Sequence, residues 1–134
     1  MKSACYDVIV VGGGHAGCEA ALASARLGAS TLLISLEKKF IGRMSCNPSI
    51  GGIAKSHITC ELDALGGEQA RNTDYTGIQF RTLNTRKGPA VQAFRAQCDK
   101  DLYPVRMQAV IAQQNNLKVA EGAVTAVCIE NGRL

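Results

Sequence analysis

Apolar residues come in short runs along this chain, and the period of the runs changes from one stretch to the next. Asp7 leads into Val8-Ile-Val-Val11, a β-branched run of the kind that forms a fully buried parallel strand. From His15 to Leu27 the chain is Ala-rich and proline-free, with Cys18, Ala21, Leu22 and Ala25 at helical spacing. A helix is predicted there, closed by Gly28, and Ser30 to Ser35 reads as a second strand. Residues 36–52 hold three glycines and Pro48 with no sustained period, which predicts a long, shaped loop. Helical spacing returns from Ile53, with Ile53, His57, Ile58, Glu61, Leu62 and Leu65 on one face and Gly66-Gly67 as the stop. Residues 68–77 are polar and predicted irregular. Ile78 to Leu83 alternates over its first part, as a half-buried strand does, and Asn84 to Pro89 is a basic turn. Ala90 to Gln114 carries a long helical pattern that Pro104 should kink or divide. Leu117 to Ala120 and Ala123 to Ile129 are predicted strands, separated at Gly122, and the second runs into Asn131-Gly132, the strongest short hairpin signal. Only Arg133 and Leu134 follow, so the chain reads as a piece of something longer, with an unfinished core and an open sheet edge.

The join between the first strand and its helix is Gly12-x-Gly14-x-x-Gly17. The three glycines serve different ends. Gly12 allows the tight turn, Gly14 lets a pyrophosphate approach the backbone, and Gly17 lets the helix pack against the strand. Free N–H groups and the positive end of the helix dipole then face the phosphates. Glycines gather in any turn, but here the strand, the helix and the second strand are all in place, so the unit is read as a dinucleotide-binding βαβ. His15 is expected to contribute its backbone N–H rather than its ring. An acidic residue at the end of the second strand ordinarily takes the ribose hydroxyls. By spacing that place belongs to Ser35, and the nearest acid, Glu37, is either a ribose ligand or a solvated loop charge beside Lys38 and Lys39.

Composition adds limits. The chain has 134 residues, 46% of them apolar, with mean hydropathy near zero, which is one soluble globular domain at most. No apolar run is long enough to span a bilayer and no signal-peptide core is visible, which places the chain in the cytoplasm or an organelle matrix. Six cysteines (5, 18, 46, 60, 98 and 128) form no CxxC pair, so no metal site is indicated, and most are expected to be reduced, small and buried. The net charge of +4 allows a polyanionic partner without demanding one. With aromatics at 4% and no tryptophan, no platform for stacking bases is visible.

Four further places carry candidate chemistry. Cys46, in Ser45-Cys-Asn-Pro48, stands a few residues before the helix expected near Ile53, whose N-terminal dipoles favour a thiolate; it is either a nucleophile or a small side chain packed under the cofactor. His57 reads as a helix-face residue rather than a base, since spacing assigns it no acid. Lys55, Arg81, Arg86, Lys87 and Arg95 form a loose basic set that either meets phosphate or is solvated. Val124, two residues past Gly122, is either a plain strand position or backbone open to an adenine ring.

At these motifs the sequence resembles one family, the flavin-dependent tRNA wobble-uridine carboxymethylaminomethyl modification enzymes of the MnmG or GidA family. The resemblance rests on Gly12-Gly-Gly-His-Ala-Gly-Cys-Glu-Ala-Ala21, Met44-Ser-Cys-Asn-Pro-Ser-Ile-Gly-Gly-Ile53, Asp63-Ala-Leu-Gly-Gly67, Gly77-Ile-Gln-Phe-Arg81, Lys87-Gly-Pro-Ala-Val91 and Arg95-Ala-Gln97, and covers nearly the whole chain. It implies an α/β, Rossmann-like FAD-binding domain of the two-dinucleotide-binding-domain type, of which residues 1–134 are the N-terminal part. It further implies FAD pyrophosphate on Gly12, Gly13, Gly14, His15, Ala16 and Gly17, adenine near Val124, and a catalytic role for Cys46. Family members act as homodimers with an MnmE-family GTPase on tRNA, using NADH and methylenetetrahydrofolate as co-substrates. Two departures stand out: Ala54 and Ser56 occupy places where the family loop is expected to have glycine, and family chains are several times longer. Two alternatives remain beside it, a folate- and FAD-dependent tRNA methyltransferase and a nucleotide-binding module without activity.

Overall fold

A computed structural model describes residues 5–129. The first predicted unit forms as expected: β1 (Val8–Val11), α1 (His15–Arg26) and β2 (Thr31–Ser35). Cys18, Ala21, Leu22 and Ala25 are the residues α1 buries, as their spacing requires. A single 3-10 turn follows at Lys38–Phe40, and β3 (Ser49–Gly51) closes what the sequence suggested was loop. Next come α2 (Lys55–Ala64), α3 (Gln69–Thr76), β4 (Gly77–Leu83), a short 3-10 turn at Pro89–Val91, β5 (Ala93–Cys98), α4 (Leu102–Gln113) and β6 (Leu117–Glu121).

Two three-stranded sheets result. The parallel sheet runs β1-β2-β6, with Val8 opposite Thr31 and Thr31 opposite Leu117. The antiparallel sheet runs β3-β5-β4 and is inserted between β2 and α4. Cys18 and Leu22 of α1, Leu33 of β2, Tyr103, Met107 and Ile111 of α4, and Ile50 and Ala96 of the inserted sheet belong to one buried core. The α/β, Rossmann-like reading is thereby met.

Several expectations fail, each for a physical reason. Residues 69–76 are helical because the side chains α3 buries are polar and bonded: Thr73 and Thr76 donate to carbonyls four residues back, and Asn72 donates to the Tyr103 carbonyl. A helix that buries Asn72, Thr73 and Thr76 has no apolar period to read. Ala90 to Gln114 is not one helical stretch: Ala93–Cys98 is the central strand of the inserted sheet, bonded on both sides. Its Ala-rich sequence favours helix locally, and the two strand partners override that preference. Pro104 neither kinks nor divides α4, because it lies in the first turn, where a missing N–H costs no intrahelical bond. Ala123 to Ile129 has no strand structure, and the Asn131-Gly132 hairpin signal lies outside the described residues. β1 is not fully buried; Ile9 and Val11 are 52% and 61% exposed, since among the described residues nothing covers that side of the parallel sheet.

The helix from Ile53 also turns the other way. Ile58 and Leu65 are exposed, while Ser56 is buried and its Oγ accepts the Phe94 N–H at 3.1 Å. The cysteine expectation holds only for Cys18 and Cys98; all six are free thiols, but Cys5, Cys46, Cys60 and Cys128 are exposed.

Candidate functional site

The loop between β1 and α1 has the geometry its glycines imply. Gly12 sits at φ +101°, in the region that disfavours side chains, and its N–H donates to the Ile34 carbonyl across the sheet. A Cβ on Gly17 would lie 1.8 Å from the Gly12 carbonyl oxygen, so only glycine allows the helix to start this close to the strand. A Cβ on Gly14 would meet no atom within 4 Å, so the space before that residue is open. Among the described residues, the N–H groups of residues 13–17 have no acceptor; the first satisfied one is that of Cys18, on the Gly14 carbonyl. Five free donors in sequence, at a helix start with no side-chain cap, form a cradle for an anion.

The cradle is fixed from behind. The Gly13 carbonyl accepts the Gly42 N–H at 2.8 Å and the Cys18 thiol at 3.4 Å. Burial pushes the Cys18 thiol up to about 11, so it stays protonated and keeps donating. Ile41 lies against Gly13, where a Cβ would come within 2.7 Å of it.

His15 places its ring inward, edge-on to Tyr103 with centroids 5.4 Å apart. Its Nδ1 is buried without a partner, and burial holds its pKa below the usual value against the opposing pull of Glu19. Its backbone N–H is one of the five without an acceptor among the described residues. Glu19, one turn further along α1, does something the sequence did not announce. Its carboxylate accepts the N–H groups of Glu68 and Gln69, capping the start of α3 from another helix. Glu68 in turn pairs with Arg26 at 2.7 Å and Arg106 at 2.9 Å, which ties α1, α3 and α4 together. No motif signals this cluster, because its members are scattered from residue 19 to residue 106.

At the end of β2, Ser35 is buried and donates to the Glu37 carbonyl at 3.1 Å. The Glu37 carboxylate is half exposed and pairs with Lys39. Beside them Glu121, at the end of β6, accepts the Lys38 N–H at 2.7 Å, a second carboxylate that the spacing did not point to. Val124 is 44% exposed and lies outside any strand; among the described residues its backbone makes no hydrogen bond.

Cys46 is exposed in the loop before β3. Strand β3 stands between it and α2, which begins only at Lys55, so Cys46 is not in the turn that starts that helix. The neighbouring Asn47 accepts a hydrogen bond from Gln97 Nε2 at 3.3 Å, and the Pro48 carbonyl accepts the Cys98 N–H, so β5 holds the loop in place. His57 is exposed on α2. Among the described residues no cluster of His, Cys, Asp and Glu could hold a metal ion.

Comparison with known proteins agrees with this geometry. The family model described as Glucose inhibited division protein A matches residues 7–134. The chain is 66% identical over 122 residues to a protein of Pelobacter propionicus named tRNA uridine 5-carboxymethylaminomethyl modification enzyme MnmG, covering 91% of this chain and 19% of that one. It is 59% identical over 129 residues to the Geobacter sulfurreducens protein of the same name, covering 96% and 21%. The crystal structure of Aquifex aeolicus GidA superposes with a TM-score of 0.89 at 54% identity, over 94% of this chain and 21% of that one. The chain thus spans about a fifth of the length of the curated relatives it matches. With the glycine cradle, the inserted sheet and the Cys46 loop all in the matched region, the chain belongs to the GidA, or MnmG, family.

Proposed function

We propose that this chain is the FAD-binding part of a flavoenzyme that modifies the wobble uridine of tRNA, building a carboxymethylaminomethyl group on its carbon 5. The observation that carries the cofactor reading is the cradle: five unpaired N–H groups at the start of α1, with open space before Gly14. FAD, when bound, supplies the electron and hydride transfer of the reaction. The chain's own residues hold it. The Gly12–Gly17 loop takes the pyrophosphate, through the backbone donors of residues 13–17, and the Cys18 thiol and Gly42 N–H keep the loop from opening. Burial lowers the His15 pKa, which disfavours a positive charge on its ring there. The free backbone at Val124 is offered to the adenine.

Cys46 is the residue proposed for chemistry on the pyrimidine, as a nucleophile or as a proton relay near the flavin. Its free thiol and the loop that Gln97 anchors through Asn47 are compatible with that role. NADH and methylenetetrahydrofolate as co-substrates, a homodimer, an MnmE-family GTPase partner and a cytoplasmic location belong to the same proposal, at the level of the longer protein. No helix among the described residues is long and apolar enough to cross a membrane.

The test is a flavin absorbance spectrum of the purified chain after FAD is added and the excess removed, beside a Gly14→Val form. Retained flavin that the variant loses is the expected result. Equal retention by both forms would remove the cradle from the cofactor site.

A further inference from the structure

The β4–β5 hairpin, residues 77–98, contains Arg81, Arg86, Lys87 and Arg95 and no Asp or Glu. Its charge of +4 equals that of the whole chain, whose remaining charges cancel. The hairpin is therefore where the positive charge is concentrated, although Phe80 and Phe94 give it an apolar side.

Pairing puts two of these cations face to face. Arg81 is directly opposite Arg95, and Gln79 is opposite Gln97, on one face of the sheet; Phe80 and Ala96 are paired on the other. Like charges directly across a strand pair repel. A carboxylate would relieve the repulsion, yet the ion pairs among the described residues involve only Glu37 and Glu68. Among the described residues, the Arg95 side chain has only a 3.4 Å contact with Ser49 Oγ. Arg81 and Arg95, with Gln79, Leu83 and Gln97, line a concavity of about 220 Å³. Gln97 also holds Asn47, so this face is continuous with the loop that carries Cys46.

We propose that the open face of the β3–β5–β4 sheet is a phosphate-binding platform, on which Arg81 and Arg95 together grip a phosphodiester of the RNA substrate. Two forked guanidiniums match phosphate oxygens, and the anion removes the repulsion between them. Gln79 and Gln97 add neutral donors, and Arg86 and Lys87 in the hairpin turn continue the positive surface along a backbone of several phosphates. FAD is not the source of this phosphate, because its pyrophosphate is already assigned to α1 on the other sheet. The inference rests on the tRNA reading above and names the residues through which it acts.

The test compares the wild-type chain, an Arg81→Gln, Arg95→Gln double variant, and a Lys100→Gln, Lys118→Gln variant that loses the same charge elsewhere. Binding of an unmodified tRNA transcript is measured between about 50 and 200 mM salt. The platform variant should lose affinity at least about tenfold at roughly 100 mM salt, with the slope of log K against log salt reduced by roughly 1 to 2. The control variant should retain most of both, and all three should keep flavin equally. Equal losses in the two variants would reduce the effect to net charge and overturn the platform. A second arm titrates inorganic phosphate against the arginine Nε–Hε resonances. Shifts at Arg81 and Arg95 without any tRNA binding would keep the phosphate site and sink the RNA reading; no shift and no binding would sink both.

Discussion

Among single residues, variants of two framework glycines should separate cofactor binding from folding. Gly17→Ala pushes a methyl group into the Gly12 carbonyl, so it should destabilise the chain by about 3 kcal/mol and abolish flavin retention together. Gly14→Ala meets no atom and has an extended backbone at φ −73°, so the urea midpoint should hold while flavin retention falls. Measuring both quantities on both variants checks the assignment. Ala54 makes the opposite case. It holds φ 64° immediately before α2, a conformation that costs a side chain about 1 kcal/mol, and Ala54→Gly should raise stability by about that amount in urea unfolding. Ala54 and Ser56 look alike in sequence, both standing where the family loop is expected to have glycine, yet they differ physically. Ala54 is strained, whereas Ser56 is put to use, its hydroxyl satisfying the Phe94 N–H.

Among the elements, α1 is legible because its burial pattern is apolar and periodic, and α3 is hidden because its burial is polar. What makes α3 a helix is remote: Glu19 caps its start, and Glu68 at its N-cap position pairs with Arg26 and Arg106. The Glu68 side chain is 5% exposed, and burial alone would raise its pKa, but the two guanidiniums outweigh that and hold it below 4.5. A lowered folded-state pKa means stability that is present above pH 4.5 and lost as pH falls through the folded value. Glu68→Gln should therefore flatten the acid limb of a stability–pH profile. At neutral pH it should cost about 2 kcal/mol, less than a fully buried pair because both arginines keep partial exposure. An unchanged acid limb would show that Glu68 does not control it.

For the molecule as a whole, acid should act in two stages. His15 is the first: its folded-state pKa is lowered by burial, so the unfolded chain binds that proton more readily and stability falls as pH drops below 6.5. The thermal midpoint should begin to decline there, and a His15→Gln form should lose that first stage while keeping the second. Asp99, whose carboxylate accepts the N–H groups of Leu102 and Asp101 at the start of α4, joins Glu68 in the second. The parallel sheet has its own consequence. Ile9 and Val11 leave an apolar surface that parallel sheets ordinarily cover, so the native chain should enhance the fluorescence of a hydrophobic dye, and an Ile9→Thr, Val11→Thr form should reduce it. The βαβ unit, the turn at Gly12, the close packing at Gly17 and the family could all be read from the residue order, because they depend on neighbours along the chain and on local backbone geometry. Other features took shape only in three dimensions: Ala93–Cys98 is a strand, α3 is a helix, α2 buries Ser56 rather than its apolar side, and Arg81 faces Arg95. Each of those depends on a partner distant in sequence, whose hydrogen bonds or charge outweigh the local preference.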